Sequence, residues 1–206
     1  MIWQRIRRRL RSLCGLGWSG NEFHERYSAI REDAWGYRNN PSHAARSIRI
    51  LESVPEHIQD LFEAGCAEGF LTQQLAARAV RVTASDLSVE AIRRAQDYCI
   101  GLSHVQFATA DIRHELPQGP FDAAVFSDVL YYLSPAEIRA LALRLHRIMP
   151  PPRTLLIANE WNDNYRDLTH PKIAMECFTD TGLWTCSHIE EHATGPGQLH
   201  VIAVLK

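Results

Sequence analysis

The sequence contains no C-x-x-C pair, no internal repeat and no apolar run approaching the roughly 20 residues of a membrane-spanning helix. Its five cysteines are odd in number and widely spaced, so neither a disulfide framework nor a thiolate metal site is expected. A reducing compartment suits such a chain, and we expect it to be cytoplasmic. With 206 residues, 46% of them apolar, the chain fits one soluble globular domain better than two.

Charge is distributed unevenly along the chain. The net charge is −2, but residues 1–20 hold five arginines and no acid, which leaves −7 for residues 21–206. A nucleic-acid-binding domain would show a basic stripe on its main surface. The acidic body therefore argues against a nucleic-acid partner.

The N-terminal region is basic and amphipathic. One helical face within residues 1–13 is apolar and consists of Ile2, Ile6, Leu10 and Leu13. Two interpretations fit this pattern: a peripheral contact with the inner face of a membrane, or a terminal helix that packs on a partner. No continuous apolar segment follows the arginines, so we expect no secretory signal.

Residues 21–57 form an extension before the first predicted strand. Tyr27 and Trp35 lie in its aromatic-rich part, which either covers a site as a lid or packs on the flank of the domain. A helix is predicted over residues 42–53, with Ser42 as its N-cap. Its predicted apolar face consists of Ala45, Ile48 and Leu51. The predicted organisation is an N-terminal helix at 1–20, this extension, and a main domain at 58–206.

The main domain alternates between strands and helices. The predicted strands are 60–64, 80–86, 105–109, 121–127 and 154–159, and the predicted helices are 70–78, 88–99 and 135–149. This alternation predicts an α/β fold with a mostly parallel sheet. After a helix at 170–182, two extended runs flank the turn Thr194–Gly197, so the last strand is expected to be antiparallel.

A glycine-rich turn follows the first strand, with the spacing Glu63-x-Gly65-x-Ala67-x-Gly69. Such a turn at a strand's carboxyl end holds nucleotide-like ligands in doubly wound domains. The dinucleotide fingerprint, counted from Gly65, requires glycine where this chain has Ala67 and Phe70. The Phe70 side chain would prevent close helix–strand packing there, so an NAD(P)-dependent oxidoreductase is the weaker alternative.

Three acids follow the ends of successive strands: Asp86 after strand two, Asp111 after strand three and Asp128 after strand four. Each alone could be a helix cap or a solvated turn. Because the carboxyl ends of parallel strands meet at one edge of a sheet, the three acids and the glycine turn together predict one ligand site.

The glycine turn, these acids and the run Val129–Leu133 resemble motifs of class I S-adenosylmethionine-dependent methyltransferases. The resemblance implies a Rossmann-like sheet in the order 3-2-1-4-5-7-6, with strand seven antiparallel and helices on both faces. It implies S-adenosyl-L-methionine as cofactor and S-adenosyl-L-homocysteine as product. Asp86 would bind the ribose hydroxyls and Asp111 the adenine amino group. The implied cofactor contacts are Glu63, Gly65, Cys66, Ala67, Gly69, Asp86, Leu87, Asp111, Ile112 and Ser127.

Within this class the chain resembles the nodulation protein S (NodS) family of N-methyltransferases over residues 22–150. The resemblance is carried by Asp33–Trp35, the Glu63–Gly69 turn and Val129–Leu133. Members methylate amino sugars of chitin oligosaccharides. The implied reaction moves a methyl group to an amine or hydroxyl of a small molecule, such as a sugar, an oligosaccharide or a polysaccharide precursor. A non-catalytic, membrane-associated module that retains the fold is a further alternative.

Methyl transfer requires a neutral amine, or a hydroxyl that loses its proton, placed against the methyl group. Asp128 is the candidate base or substrate-orienting group, and Tyr131 is a candidate wall of the acceptor pocket, with Tyr27 and Trp35 as lid candidates. Cys66 is interpreted as a packing residue rather than a nucleophile.

The string His188-Ile189-Glu190-Glu191-His192 matches a zinc-protease motif that requires a helix. Here it is predicted to be extended, and four residues of strand span about 13 Å. We therefore predict surface histidines rather than a metal site.

Overall fold

The structure is a computed structural model, and it describes residues 20–30, 32–38, 40–162, 168–195 and 197–206. The basic pattern of residues 1–13 lies outside these ranges. The described helices are α1 (Gly20–Ala29), α2 (Pro41–Ser53), α3 (Phe70–Leu75), α4 (Val89–Tyr98), α5 (Pro135–Ile148) and α6 (Pro171–Thr179). The described strands are β1 (Ile58–Ala64), β2 (Ala79–Asp86), β3 (Val105–Thr109), β4 (Ala123–Ser127), β5 (Thr154–Asn162), β6 (Cys186–Gly195) and β7 (Gln198–Leu205).

These strands form one sheet in the order β3-β2-β1-β4-β5-β7-β6. β1 pairs in parallel with β2 and β4, while β7 pairs antiparallel with both β5 and β6. The predicted order and the antiparallel last strand are therefore confirmed. The pairing brings the ends of β1, β2, β3 and β4 to one edge of the sheet, as the strand-end acids predicted.

The sheet is covered on both faces by apolar side chains. On one face Phe62 and Phe126 pack with Leu141 and Phe178 from helices α5 and α6. On the other face Leu61 and Val125 pack with Ile50 of α2 and with Leu75 of α3. Because β4 is central and buried on both faces, its sequence is apolar without alternation up to Ser127, and in β1 the consecutive Leu61 and Phe62 are buried on opposite faces.

Two expectations about the extension were wrong. Asn40 caps α2 by accepting the Ser42 N–H, so Ser42 is not the N-cap, and Pro41 takes the first helical position. The buried stripe of α2 contains Arg46 and Ile50, whereas Ile48 is 56% exposed. Residues 20–29 also form a helix where no helix was predicted.

The string at 188–192 lies in β6 and is extended, as predicted. His188 and His192 both bind the carboxylate of Glu190, at 2.8 and 2.9 Å. Within the ranges of the chain that the structure describes, none of the helices combines the length and hydropathy required to span a bilayer.

Candidate active site

The glycine turn is held against the end of β2 by backbone hydrogen bonds. The N–H groups of Gly65 and Cys66 both donate to the Ser85 carbonyl, at 2.7 and 2.9 Å. Gly65 has φ +71°, and a Cβ built on it would lie 3.0 Å from Val129 Cγ2. A side chain at position 65 would therefore be strained and would displace the residue that follows β4.

Asp86 ends β2 and faces the turn. Its carboxylate accepts the N–H of Ala67 at 3.0 Å and the N–H of Ser88 at 2.8 Å. Burial raises the pKa of Asp86 to about 6, against the opposing effect of these donors. The carboxylate thus connects the turn to the start of α4, and it borders a cavity.

Asp111, which follows β3, is held in a fork by Arg113. The guanidinium Nε and Nη2 donate to both carboxylate oxygens over 2.6–3.0 Å. Burial raises the pKa of Asp111, but the hydrogen bonds from Arg113 outweigh it and leave that pKa below its usual value. Ile112 is buried beside this pair and lines the same cavity.

Asp128 follows β4 in a left-handed conformation, with φ +54°. Its Oδ1 accepts the Glu160 N–H at 2.7 Å, and its Oδ2 accepts a hydrogen bond from Arg46 Nη1. Both side chains of this ion pair are buried. Arg46 comes from α2, so a helix of the N-terminal extension completes the end of β4.

The strand ends and the N-terminal extension enclose an aromatic cavity. Its aromatic side chains are Phe23, Tyr27, Trp35, Tyr37, Tyr131 and Tyr132. The strand-end residues that line it include Gly65, Ala67, Asp86, Leu87, Asp111, Ile112, Ser127 and Asp128. Burial raises the pKa of Tyr37, Tyr131 and Tyr132, so their hydroxyl groups remain neutral at physiological pH.

A second cavity, the arginine cavity, adjoins the first. Its cationic side chains are Arg38 and Arg46, and His43, Glu63 and Cys66 also line it. It shares Tyr37, Gly65, Ala67 and Ser127 with the aromatic cavity. A ligand lying across Gly65 can therefore reach both cavities.

Three buried polar atoms of the arginine cavity have no hydrogen-bond partner among the described residues. They are Nδ1 of His43, Nε of Arg46 and Oε2 of Glu63, and the last two residues are only 3% and 2% exposed. Burial raises the pKa of Glu63 to about 7, although the Thr72 hydroxyl partly opposes this. The unused donor of Arg46 and the unused acceptor of Glu63 line the same cavity as Gly65 and match the opposite charges of an α-amino acid group.

The structure brings most of the predicted site residues together. Tyr27, Trp35, Tyr131 and the predicted strand-end residues line the aromatic cavity, and Glu63 and Cys66 line the arginine cavity. Gly69 differs, because it lines neither cavity. A Cβ on Gly69 would lie 3.1 Å from Ala95 Cα, so this glycine permits close packing of the turn on α4.

Sequence reasoning missed Arg46, Arg113 and Glu68. Arg46 could have been found from its spacing, because it lies four residues before Ile50 and residues four apart share one face of a helix. Glu68 lies inside the motif and is buried, but the spacing rule leaves its position unspecified. Nothing in the sequence indicates that Arg113 would fold back on Asp111.

Comparisons with known proteins agree with this geometry. A family model described as a methyltransferase domain matches residues 61–152. Nodulation protein S of Rhizobium tropici is 28% identical over 159 residues, covering 73% of this chain and 67% of that protein. Nodulation protein S of Sinorhizobium fredii is 31% identical over 142 residues, covering 68% of this chain and 66% of that protein. The chain thus spans about two thirds of the length of these relatives.

Among solved structures, the fold matches the N-methyltransferase NodS from Bradyrhizobium japonicum in complex with S-adenosyl-L-homocysteine. The TM-score is 0.79 at 22% identity, covering 91% of this chain and 98% of that one. The sheet order, the glycine turn, the family model and these relatives all indicate a methyltransferase. They therefore exclude the alternative of an NAD(P)-dependent oxidoreductase. The chain belongs to the class I S-adenosylmethionine-dependent methyltransferases and is similar to nodulation protein S.

Proposed function

We propose that this protein methylates an amine of a sugar, an oligosaccharide or a polysaccharide precursor. The observation that carries the proposal is the position of Asp128, which lies in an aromatic cavity at the end of β4, beside the glycine turn. The sequence analysis left a hydroxyl group as the alternative methyl acceptor. The amine is favoured because the solved NodS structure with this fold is described as an N-methyltransferase, and because the Asp128 carboxylate can accept the N–H groups of an amine.

The described residues fit S-adenosylmethionine. The unpartnered Arg46 Nε and Glu63 Oε2 would receive the carboxylate and ammonium of its amino-acid part beside Gly65. Asp86 would bind the ribose hydroxyls, since its carboxylate borders the aromatic cavity at the end of β2. Leu87 and Ile112 offer apolar contacts for the adenine ring, and Asp111 lies close by with its partner Arg113.

The bound cofactor supplies an activated methyl group on a sulfonium. The protein's task is then to orient the acceptor and to exclude water. Asp128 would hold the acceptor nitrogen by its N–H groups and so direct the lone pair. Its two oxygens already accept one bond each, but a carboxylate has about four acceptor positions, so this contact remains available.

The aromatic side chains support a sugar acceptor. Trp35 donates to the Tyr27 hydroxyl at 2.8 Å, and Phe23 packs edge-to-face on Tyr132 with ring centroids 5.0 Å apart. These contacts fix the rings in place, and flat rings match the apolar faces of a sugar. The description of the solved NodS structure as an N-methyltransferase supports transfer to nitrogen.

The test is a methyl-transfer assay with labelled S-adenosylmethionine over glucosamine, chitosan oligomers and their N-acetylated counterparts. Label should appear on the free amines only, and Asp128→Asn should reduce turnover by about 100-fold or more. Asp97→Asn, on the exposed surface of α4, is the matched control and should behave as wild type. Equal labelling of N-acetylated sugars would exclude the amine, and normal turnover of Asp128→Asn would exclude the role of Asp128.

A further inference from the structure

The side chain of Glu68 joins the glycine turn to the N-terminal extension. Glu68 lies between Ala67 and Gly69, and it is only 2% exposed. Its Oε2 accepts the N–H of Ala34 at 3.1 Å, and its Oε1 accepts Nη1 of Arg94 at 2.7 Å. The residue therefore has its backbone in the cofactor turn and its carboxylate against the extension.

Arg94, on α4, holds the same extension at a second point. Its Nη2 donates to the Tyr27 carbonyl at 2.7 Å and its Nη1 to the Ile30 carbonyl at 2.9 Å. These carbonyls belong to the C-terminal end of α1, where helical C=O groups lack partners within the helix and where positive charge is favourable. Arg94 thus caps α1 while it neutralises Glu68.

The part of the extension held in this way forms one wall of the aromatic cavity. Arg26 Nε donates to the Ala34 carbonyl at 3.0 Å, and its guanidinium lies 4.0 Å from the centroid of Trp35. Trp35 in turn donates to Tyr27. The contacts of Ala34 and Tyr27 with Glu68 and Arg94 therefore set the position of the whole wall.

The turn that carries Glu68 has limited freedom to adjust. Ala67 and Gly69 on either side of Glu68 are both left-handed, with φ +49° and +83°. If ligand binding shifts this backbone, the buried carboxylate of Glu68 moves with it. Loss of Arg94 would leave that carboxylate buried without a cation, which is strongly destabilising. The extension therefore either moves with the turn or loses its contacts with Glu68 and Arg94.

We propose that Glu68 and Arg94 are positioning residues that couple cofactor binding at the glycine turn to closure of the described extension, residues 20–30 and 32–38, over the acceptor site. This inference rests on the proposed function, which places the cofactor at the turn and the acceptor in the aromatic cavity. Cofactor would then bind first, and the acceptor would meet a complete pocket only afterwards. Neither residue contacts the reacting atoms.

Hydrogen exchange of the full-length protein, followed by mass spectrometry with and without S-adenosyl-L-homocysteine, tests the coupling. In wild type the ligand should slow exchange in peptides covering both the turn and residues 20–38. In Arg94→Ala it should still bind and slow exchange at the turn, but its effect on residues 20–38 should be lost. Arg93→Ala is the matched control, because the described partners of Arg93 are Glu90 and Asp97 on its own helix.

Glu68→Gln provides a second variant that retains an acceptor for the Ala34 N–H. It should fold and should show reduced protection of residues 20–38. Protection of the turn alone in wild type would overturn the coupling and leave the cofactor assignment intact. Unchanged protection in both variants would overturn the role of these two residues. Absence of any ligand effect, even at the turn, would overturn the cofactor assignment and the coupling together.

Discussion

Backbone strain at the residue scale is concentrated at the candidate site. The described non-glycine residues with positive φ are Asp33, Ala67 and Asp128, and the last two line the aromatic cavity. Aspartate tolerates the left-handed region better than most residues, because its side chain can hydrogen-bond locally. Alanine has no such compensation, and related motifs place glycine at this position. Ala67 is therefore a strained residue in the cofactor turn.

Ala67→Gly should stabilise the protein. Removing the Cβ relieves a left-handed alanine, and we expect a gain of about 1 kcal/mol in the free energy of unfolding. Urea unfolding would measure the gain. Gly69→Ala is the opposite test and should be destabilising, because a Cβ would clash with Ala95. A loss of stability in Ala67→Gly would show that the Cβ contributes more by packing than it costs in strain.

Glu63 should make the stability of the ligand-free protein depend on pH. Burial raises its pKa to about 7, so near neutral pH the folded state retains a proton that the unfolded state has released. Stability from this group is therefore fully present below about pH 4.5 and is lost as the pH rises through about 7. Asp86, whose pKa is about 6, contributes with the same sign.

Glu63→Gln should remove much of the stability loss at high pH, because glutamine does not ionise. We expect the free energy of unfolding to rise by an amount on the order of 1–3 kcal/mol at pH 8 and to change little at pH 5. Unfolding curves over this pH range would measure it. Glu56→Gln, at an exposed position before β1, is the control. The same pH dependence in wild type and in Glu63→Gln would contradict the prediction.

At the element scale, α2 is joined to the sheet by a buried ion pair. Arg46 and Asp128 are 82 residues apart in the chain and form a buried ion pair at the end of β4. Burial of two charges contributes little net stability, but loss of one partner leaves the other charge uncompensated. The pair therefore fixes the position of α2 more than it stabilises the fold.

A double-mutant cycle would measure this coupling. Arg46→Leu and Asp128→Asn should each lower the free energy of unfolding, with Arg46→Leu costing about 3–5 kcal/mol. The double variant should cost clearly less than the sum, because no unpaired charge remains. The same cycle on the more exposed pair Arg81 and Asp60, at 2.5 Å, should give a much smaller coupling, because solvent screens the two charges. Additive effects at Arg46 and Asp128 would contradict the coupling.

For the whole molecule, the alternation of strands and helices predicted a mostly parallel sheet, while the resemblance to methyltransferases supplied its strand order. The central strand β4 is a short apolar run, and parallel pairing with β1 brings the ends of the two strands together. Residues at the ends of neighbouring parallel strands, such as Asp86 at the end of β2 and Asp128 after β4, therefore line one cavity. Local sequence and topology together determine this part of the site.

The residues that the sequence did not reveal depend on long-range side-chain pairing. The buried face of α2 depends on Asp128, the carboxylate that follows β4 and pairs with Arg46. The buried face therefore contains Arg46 instead of the apolar residues that the pattern predicted. Glu68 meets Arg94 and Ala34 through contacts between residues 26 and 34 positions apart. Residues 20–29 are predominantly polar, and their helix is stabilised by packing on α4 rather than by an apolar pattern.

The long separation of Arg46 and Asp128 also has a consequence for synthesis of the chain. The ribosome delivers N-terminal residues first, and α2 is made long before β4 and β5 exist. Until Asp128 emerges, Arg46 lacks the partner that it has in the folded protein, and β1 lacks its neighbour β4. The residues that line the aromatic cavity are complete at Leu133, but a nascent chain that ends before β5 still lacks the Glu160 N–H that holds Asp128 in place.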